Sequence, residues 1–518
     1  MPLVSPPHQW LLSIGAFLLL SAAIVLAVNK RQREAVLVRL RLPLQRRRAS
    51  AASTTPRSIA PPSEKAASSA GSRGGPDYST ALPPSRRCAL ADLVKTVPLS
   101  AAARGLLSAG AGSELSDDFI VKNALPTTLS YYSLDHAMPK YTPTGFSTAE
   151  LKAMGDFPAY DVLSGVPLPK AYENFDLAKA LPRPYRPFRW KYHQTMSFHK
   201  MEPDWWLEVE NSYTARIKER QELFREYGSQ VLDYLPGSEL ACKELMEMCL
   251  QFYCARYPGH FALSADKKVF HNRILGTETV IRRFHPLHIL LAHVPEDFAV
   301  VLRSETDGRY YFRAGVICSS LGWHVGTKIG LRLDEIHRRI PDYREKMAFS
   351  MDRFFSKMAT GAPIQRGSWG LEVGSPLFVP PGHPHEALRE TQDPALQIEE
   401  CRLRVDWQTL RRLPLSAAVV FNFKALFTPV TDLRQEPYIP ALLLTILREG
   451  KRSLMEYKGT WHTEHVCIPK LEEYAREQVA KGWVVPEIEG QDEWNVATLA
   501  ESPFFPGWEA KWHRQQGF

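Results

Sequence analysis

The sequence predicts an α+β fold, an antiparallel sheet with flanking helices, preceded by one transmembrane helix. Three observations predict it. Apolar residues recur at helical spacing over 204–227 and 238–256. The pattern then becomes strand-like over 298–302 and 310–318, with Asp307-Gly308 as the hairpin signal between them. Residues 10–28 carry no charge and are dominated by Leu, Ala, Ile, Val and Phe, a run just long enough to span a bilayer core.

The span comes first. Basic residues dominate its C-terminal flank, from Lys30 and Arg31 to Arg46, Arg47 and Arg48, against Glu34 alone. Positive charge beside a span stays cytosolic, so the expectation is a single-pass protein, of the endoplasmic reticulum, with its catalytic part in the cytosol. No charge precedes the apolar run and no small-residue cleavage site follows it, which argues against a cleaved signal peptide. Residues 29–87 begin basic, turn rich in Ala, Ser and Pro, and read as a disordered tether. Residues 88–179, mixed and Pro-containing, read as an extended lead-in that partly wraps the domain. Dense globular composition over 180–510 marks the catalytic domain.

Within it, helices are expected over 204–227 and over 238–256, the second ending at the Tyr257-Pro258-Gly259 breaker. His288–Leu291 and Phe298–Leu302 read as strands, and 310–318 as the return strand. Helices follow over 331–340 and 343–358, strands over 403–405 and 417–423, and helices over 440–448 and 470–480.

Composition excludes several classes. The seven cysteines are odd in number and form no CxxC pair, so buried thiols fit better than disulfides or an iron–sulfur cluster. The net charge of +8 is unevenly spread, and no zinc-finger or RNA-reading motif supports nucleic-acid binding. No phosphate-cradling glycine loop or nucleophile elbow occurs. Any redox chemistry therefore draws its reducing power from a partner.

Three histidine groups merit weighing. His285, His288 and His293 alternate with apolar residues along the expected strand, so they cannot all face one pocket without a bulge; one is a distal candidate. Pro380-Pro381-Gly382-His383-Pro384-His385 with Glu390 resembles fragments of the cupin metal motifs, the basis of a rival reading as a metal dioxygenase. Leu377 stands where that motif has its glycine, and a Pro- and His-rich surface loop is the simpler account. His462 and His465, after Gly459 and Thr460, read as loop residues.

A longer ordered series carries more weight. It runs through His199-Lys200-Met201, Asp204-Trp205-Trp206-Leu207, Asn211-Ser212-Tyr213, Pro295-Glu296-Asp297, Gly322-Trp323, Ile336-His337 and Met351-Asp352-Arg353-Phe354-Phe355. It ends on Arg404-Val405-Asp406-Trp407-Gln408-Thr409-Leu410. In this order and spacing the chain, over roughly residues 180–510, resembles the haem-dependent oxidative N-demethylase α-subunit-like family. The resemblance implies haem in a PAS-like domain, O₂ activation and oxidative removal of an N-methyl group from a small amine. It also implies electrons from NAD(P)H through a separate flavin and iron–sulfur reductase. Two positions depart from the family pattern: Trp407 replaces an Arg, and Ser368-Trp369 stands for Asn-Trp, so the substrate need not be a simple methylamine.

With haem expected, His337 is the candidate iron ligand, near a helix end amid Ile329, Leu331, Leu333 and Ile336. The alternative is a helix-end histidine complementing the dipole. Lys328, Arg338 and Arg339 are candidates for the haem propionates, or a solvated helix face. Glu296, Asp297 and Arg404 are the candidate polar groups of the reaction, though Glu296-Asp297 also suits a turn. A non-catalytic haem sensor is the other rival. The anchor has its own test: protease added to sealed microsomes should digest everything beyond residue 100, and protection of that region would overturn the orientation.

Overall fold

The computed structural model describes residues 142, 144–146, 151, 154–190, 196–304, 307–485 and 502–517. The expected span at 10–28, the tether and most of the lead-in lie outside the described residues. Among the described residues no helix is long and apolar enough to cross a membrane.

Ten strands are present among these residues: β1 His199–Lys200, β2 Leu232–Tyr234, β3 Phe261–Leu263, β4 Val269–Asn272, β5 Thr277–Val280, β6 Asp297–Arg303, β7 Tyr310–Val316, β8 Ile364–Val373, β9 Cys401–Arg412 and β10 Val419–Pro429. Seven form one sheet in the order β1-β8-β9-β10-β6-β7-β2, and every neighbouring pair is antiparallel. A second sheet pairs β3-β4-β5. The fold is thus α+β with an antiparallel sheet and flanking helices.

The helix Glu239–Arg256 is buried along almost its whole length. Its polar residues are therefore committed: Glu244 accepts the backbone N–H groups of Leu415 (2.6 Å) and Ser416 (2.9 Å), and Glu247 accepts from Lys243 (2.5 Å) and the Tyr160 hydroxyl (2.7 Å). This helix and Pro286–His293 back one part of the sheet. The C-terminal helices Ile439–Glu449 and Trp461–Ala480 back β8 and β9. Arg186 forks onto Glu436 with both contacts at 2.7 Å, and both side chains are buried, tying the segment before β1 to that layer. The lead-in also touches the core, where Thr144 donates to the Leu415 carbonyl at 2.6 Å.

Several expectations need correction. The His285–His293 stretch is a helix, because Pro286 sits at its first turn and the His285 ring accepts the Leu287 N–H. Continuous helix over 204–227 gives way to a 3₁₀ turn at Pro203–Trp205, with the α-helix confined to Tyr213–Tyr227. His462 and His465 lie on the helix Trp461–Ala480, not in a loop. The described cysteines are all free, and most are buried.

Asp297 opens β6 inside the core, with Glu296 buried just before it. Arg220 ion-pairs with Asp297 and donates to the Glu296 carbonyl at 2.9 Å, both charged side chains being 1% exposed. Asp297 also accepts the Cys318 and Ser319 N–H groups at 2.9 and 2.7 Å. Asp297→Ala would strand a buried guanidinium and should lower the unfolding free energy by about 3–5 kcal/mol in denaturant titration. A loss below about 1 kcal/mol, the range of an exposed pair, would show that the pair is not structural.

Candidate functional site

Between one face of the large sheet and the segment joining β7 to β8, which packs on Val301, Leu410 and Val419, lies a cavity of about 730 Å³, within the range of cofactor sites. The strand period explains its floor. On β9, Arg404, Asp406, Gln408 and Leu410 alternate inward; in register on β8 stand Gly370, Ser368, Arg366 and Ile364. Phe421, Phe423, Ala299, Val301 and Phe312 extend the floor across β10, β6 and β7 as an apolar surface. The roof comes from the segment between β7 and β8, where Leu333, Ile336, Met347, Met351 and Phe355 face the cavity.

His337 ends the short helix Leu333–Ile336 and lines this cavity. Its Nδ1 lies 2.7 Å from the Leu333 carbonyl oxygen. A carbonyl only accepts, so Nδ1 carries the proton and Nε2 is left with its lone pair. The Tyr343 ring stacks on the imidazole at 5.2 Å and 16°, fixing its plane. Burial pushes its pKa down to about 4, so the ring is neutral at physiological pH. A neutral, oriented imidazole with a free ring nitrogen in an apolar cavity is the form that ligates iron.

The charge of the lining is strongly positive. Arg404 pairs with Asp406 at 3.0 Å, and Arg389 with Glu372 at 3.2 Å. Glu372 and Asp406 are the lining carboxylates among the described residues, against seven lining Lys and Arg side chains, so cations outnumber acids in the lining. Lys458 donates to Ser368 Oγ at 3.0 Å, and burial, with Arg366 nearby, pushes its pKa down to about 7. Such a lining favours a ligand that is apolar in its body and anionic at its edge.

The sequence candidates divide accordingly. His337, Lys328, Arg339 and Arg404 share the cavity. Lys328 also ties down the segment that carries His337, donating to the Ile336 carbonyl at 2.9 Å. Arg404 is largely committed: besides Asp406, it donates to the Pro376 carbonyl at 2.9 Å. Arg338 lies exposed, away from the cavity lining. Glu296 and Asp297 do not line the cavity: the core buries both, and Ser319, which does line it, donates its N–H to Asp297.

 They are outside the lining, and the correction has a simple cause: two adjacent acids at a strand start satisfy buried backbone and guanidinium donors. His285, His288 and His293 lie outside the lining too; His285 stacks on Tyr234, and His293 bonds Asn272 and Thr279 in the core.

The cupin-like fragment does not assemble. His383 caps a short helix by accepting the His385 N–H, Glu390 lies exposed, and among the described residues no group of three His, Cys, Asp or Glu side chains is placed to hold a metal. The groups missed from sequence are Arg366, Lys458, Glu372 and, as a lining acid, Asp406. For Arg366 and Glu372 the alternation of β8 was the signal: with Ser368 and Gly370 they face the cavity, while Leu371 packs behind.

The family model described as "Haem-dependent oxidative N-demethylase, alpha subunit-like" matches residues 197–468, a span that holds β1 through β10 and the cavity lining from Ser197 onward. The match covers just over half of the chain, and the protein belongs to the haem-dependent oxidative N-demethylase, alpha subunit-like family.

Proposed function

We propose that the cavity is a PAS-like haem pocket in which His337 would hold the iron, and that the protein oxidises a small organic substrate, in the first instance by N-demethylation. The observation that carries this is the His337 imidazole, which lines the cavity with its Nδ1–H donated to Leu333, so that Nε2 keeps its lone pair. The residues fit the group: aromatic and aliphatic side chains cover a flat apolar body, and Arg366, Lys458 and Arg339 suit two carboxylates. Bound there, haem would supply the O₂ chemistry.

The chain's own residues supply binding and orientation. Asp406 is a lining carboxylate that can attract a cationic amine, a role that passes to it from Glu296 and Asp297. Arg404 holds Asp406 from one side at 3.0 Å, so its orientation is set before substrate arrives. Trp407, at 1% exposure, points to the opposite face and donates to Gln365 at 3.2 Å, so its departure from the family pattern acts through packing and not as a cavity group. Electrons come from NAD(P)H through a separate flavin and iron–sulfur reductase. A single span at residues 10–28 would hold the domain at the membrane where that partner resides.

Two outcomes are expected. His337→Ala should shift or abolish the Soret band, with partial recovery on adding imidazole, while His383→Ala leaves the band unchanged. A native spectrum in His337→Ala would remove the ligand assignment. The second concerns pH. Lys458 loses its proton as pH rises through about 7, so its attraction for a propionate is present below that pH and weakens above it. Haem affinity, titrated from pH 6 to 8.5, should fall more steeply in the native protein than in Lys458→Met. Equal slopes would show that Lys458 does not bind the anionic edge.

A further inference from the structure

Glu372 closes one end of the cavity and is fully buried, at 0% exposure. Two histidines that the sequence places far apart converge on it. His385 Nε2 lies 3.3 Å from Oε2 and, since a carboxylate accepts, carries the proton. His462 Nε2 lies 3.9 Å from the same oxygen. Arg389 approaches the other oxygen at 3.2 Å, and Arg402 stands opposite Glu372 in the β8–β9 register. Neither ring nitrogen of His462, itself 1% exposed, makes a well-formed hydrogen bond. The His385 side chain is 12% exposed and so bridges the surface to the buried carboxylate.

We propose that His385, Glu372 and His462 form a proton relay between solvent and the cavity. The inference rests on the haem assignment above. Its chemistry follows from the proposed reaction: one N–CH₃ group, one O₂, two electrons from the reductase and two protons give N–CH₂OH and one water, and the former releases formaldehyde and the free amine. The two protons must enter an apolar cavity. His385 passes its Nε2 proton to Glu372 Oε2 and regains one from solvent on Nδ1. Glu372 presents the proton to the cavity, while Arg389 keeps the cluster near neutrality when the carboxylate is charged. His462 offers a second imidazole on the same oxygen, beside the first. Lys458 and the Arg404–Asp406 pair also line the cavity, but no contact joins them to this oxygen.

Cyanide and carbon monoxide separate this from a structural role. Cyanide arrives as HCN and must give up a proton inside the cavity; carbon monoxide binds the reduced haem without one. In the full-length, haem-loaded protein, Glu372→Gln should slow cyanide association at pH 7 by roughly 10²-fold, the scale of general acid–base help. Its Soret band and carbon monoxide association should match the native protein. His385→Gln should also slow cyanide, with added imidazole restoring part of the rate. Unchanged cyanide association in Glu372→Gln, or equal slowing of both ligands, would overturn the relay. A native protein with no Soret band would overturn the haem assignment itself.

Discussion

One hydrogen bond decides what the cavity can do: His337 Nδ1–H to the Leu333 carbonyl at 2.7 Å. It fixes the tautomer, and with it the direction of the free Nε2 lone pair. The rest of the roof serves that geometry. Lys328 ties the Ile336 carbonyl, Tyr343 stacks on the ring, and burial keeps the imidazole neutral. Without the bond the ring could turn or change tautomer, and the proposed iron site would lose its fixed donor nitrogen.

The same logic separates two kinds of buried charge. Arg220 with Asp297, and Arg186 with Glu436, are paired within the core and hold segments together. Their alignment with backbone donors makes them costly to break and unavailable for chemistry. The cavity charges sit at a surface from which water can be displaced by a ligand. Lys and Arg side chains outnumber the two lining acids, Glu372 and Asp406, and so set the sign of the field among the described residues.

The sequence made part of this legible. The helix Glu239–Arg256 and the β6–β7 hairpin follow local rules, and their patterns predict them closely. His337 was singled out only with the family resemblance, since a lone histidine near a helix end has no distinctive spacing. β8 was missed because Gly367 and Gly370 interrupt its pattern. A side chain at Gly367 would come within 2.6 Å of the Tyr185 ring, so the glycine is a packing requirement invisible to local reasoning. With that strand went Arg366 and Glu372. The convergence of His385 and His462 on Glu372 is tertiary, joining a short helix, a strand and a long helix. Adjacent acids at 296 and 297 resembled site groups, but a paired buried carboxylate and an exposed catalytic one look alike in sequence.

The central claim is an iron–imidazole bond at His337. Low-frequency resonance Raman spectroscopy of the reduced, haem-loaded protein tests it most directly. An iron–histidine stretching band should appear, shift on ¹⁵N-histidine labelling and be absent from His337→Ala. A reduced haem lacking that band, or one whose band persists in His337→Ala, would contradict it.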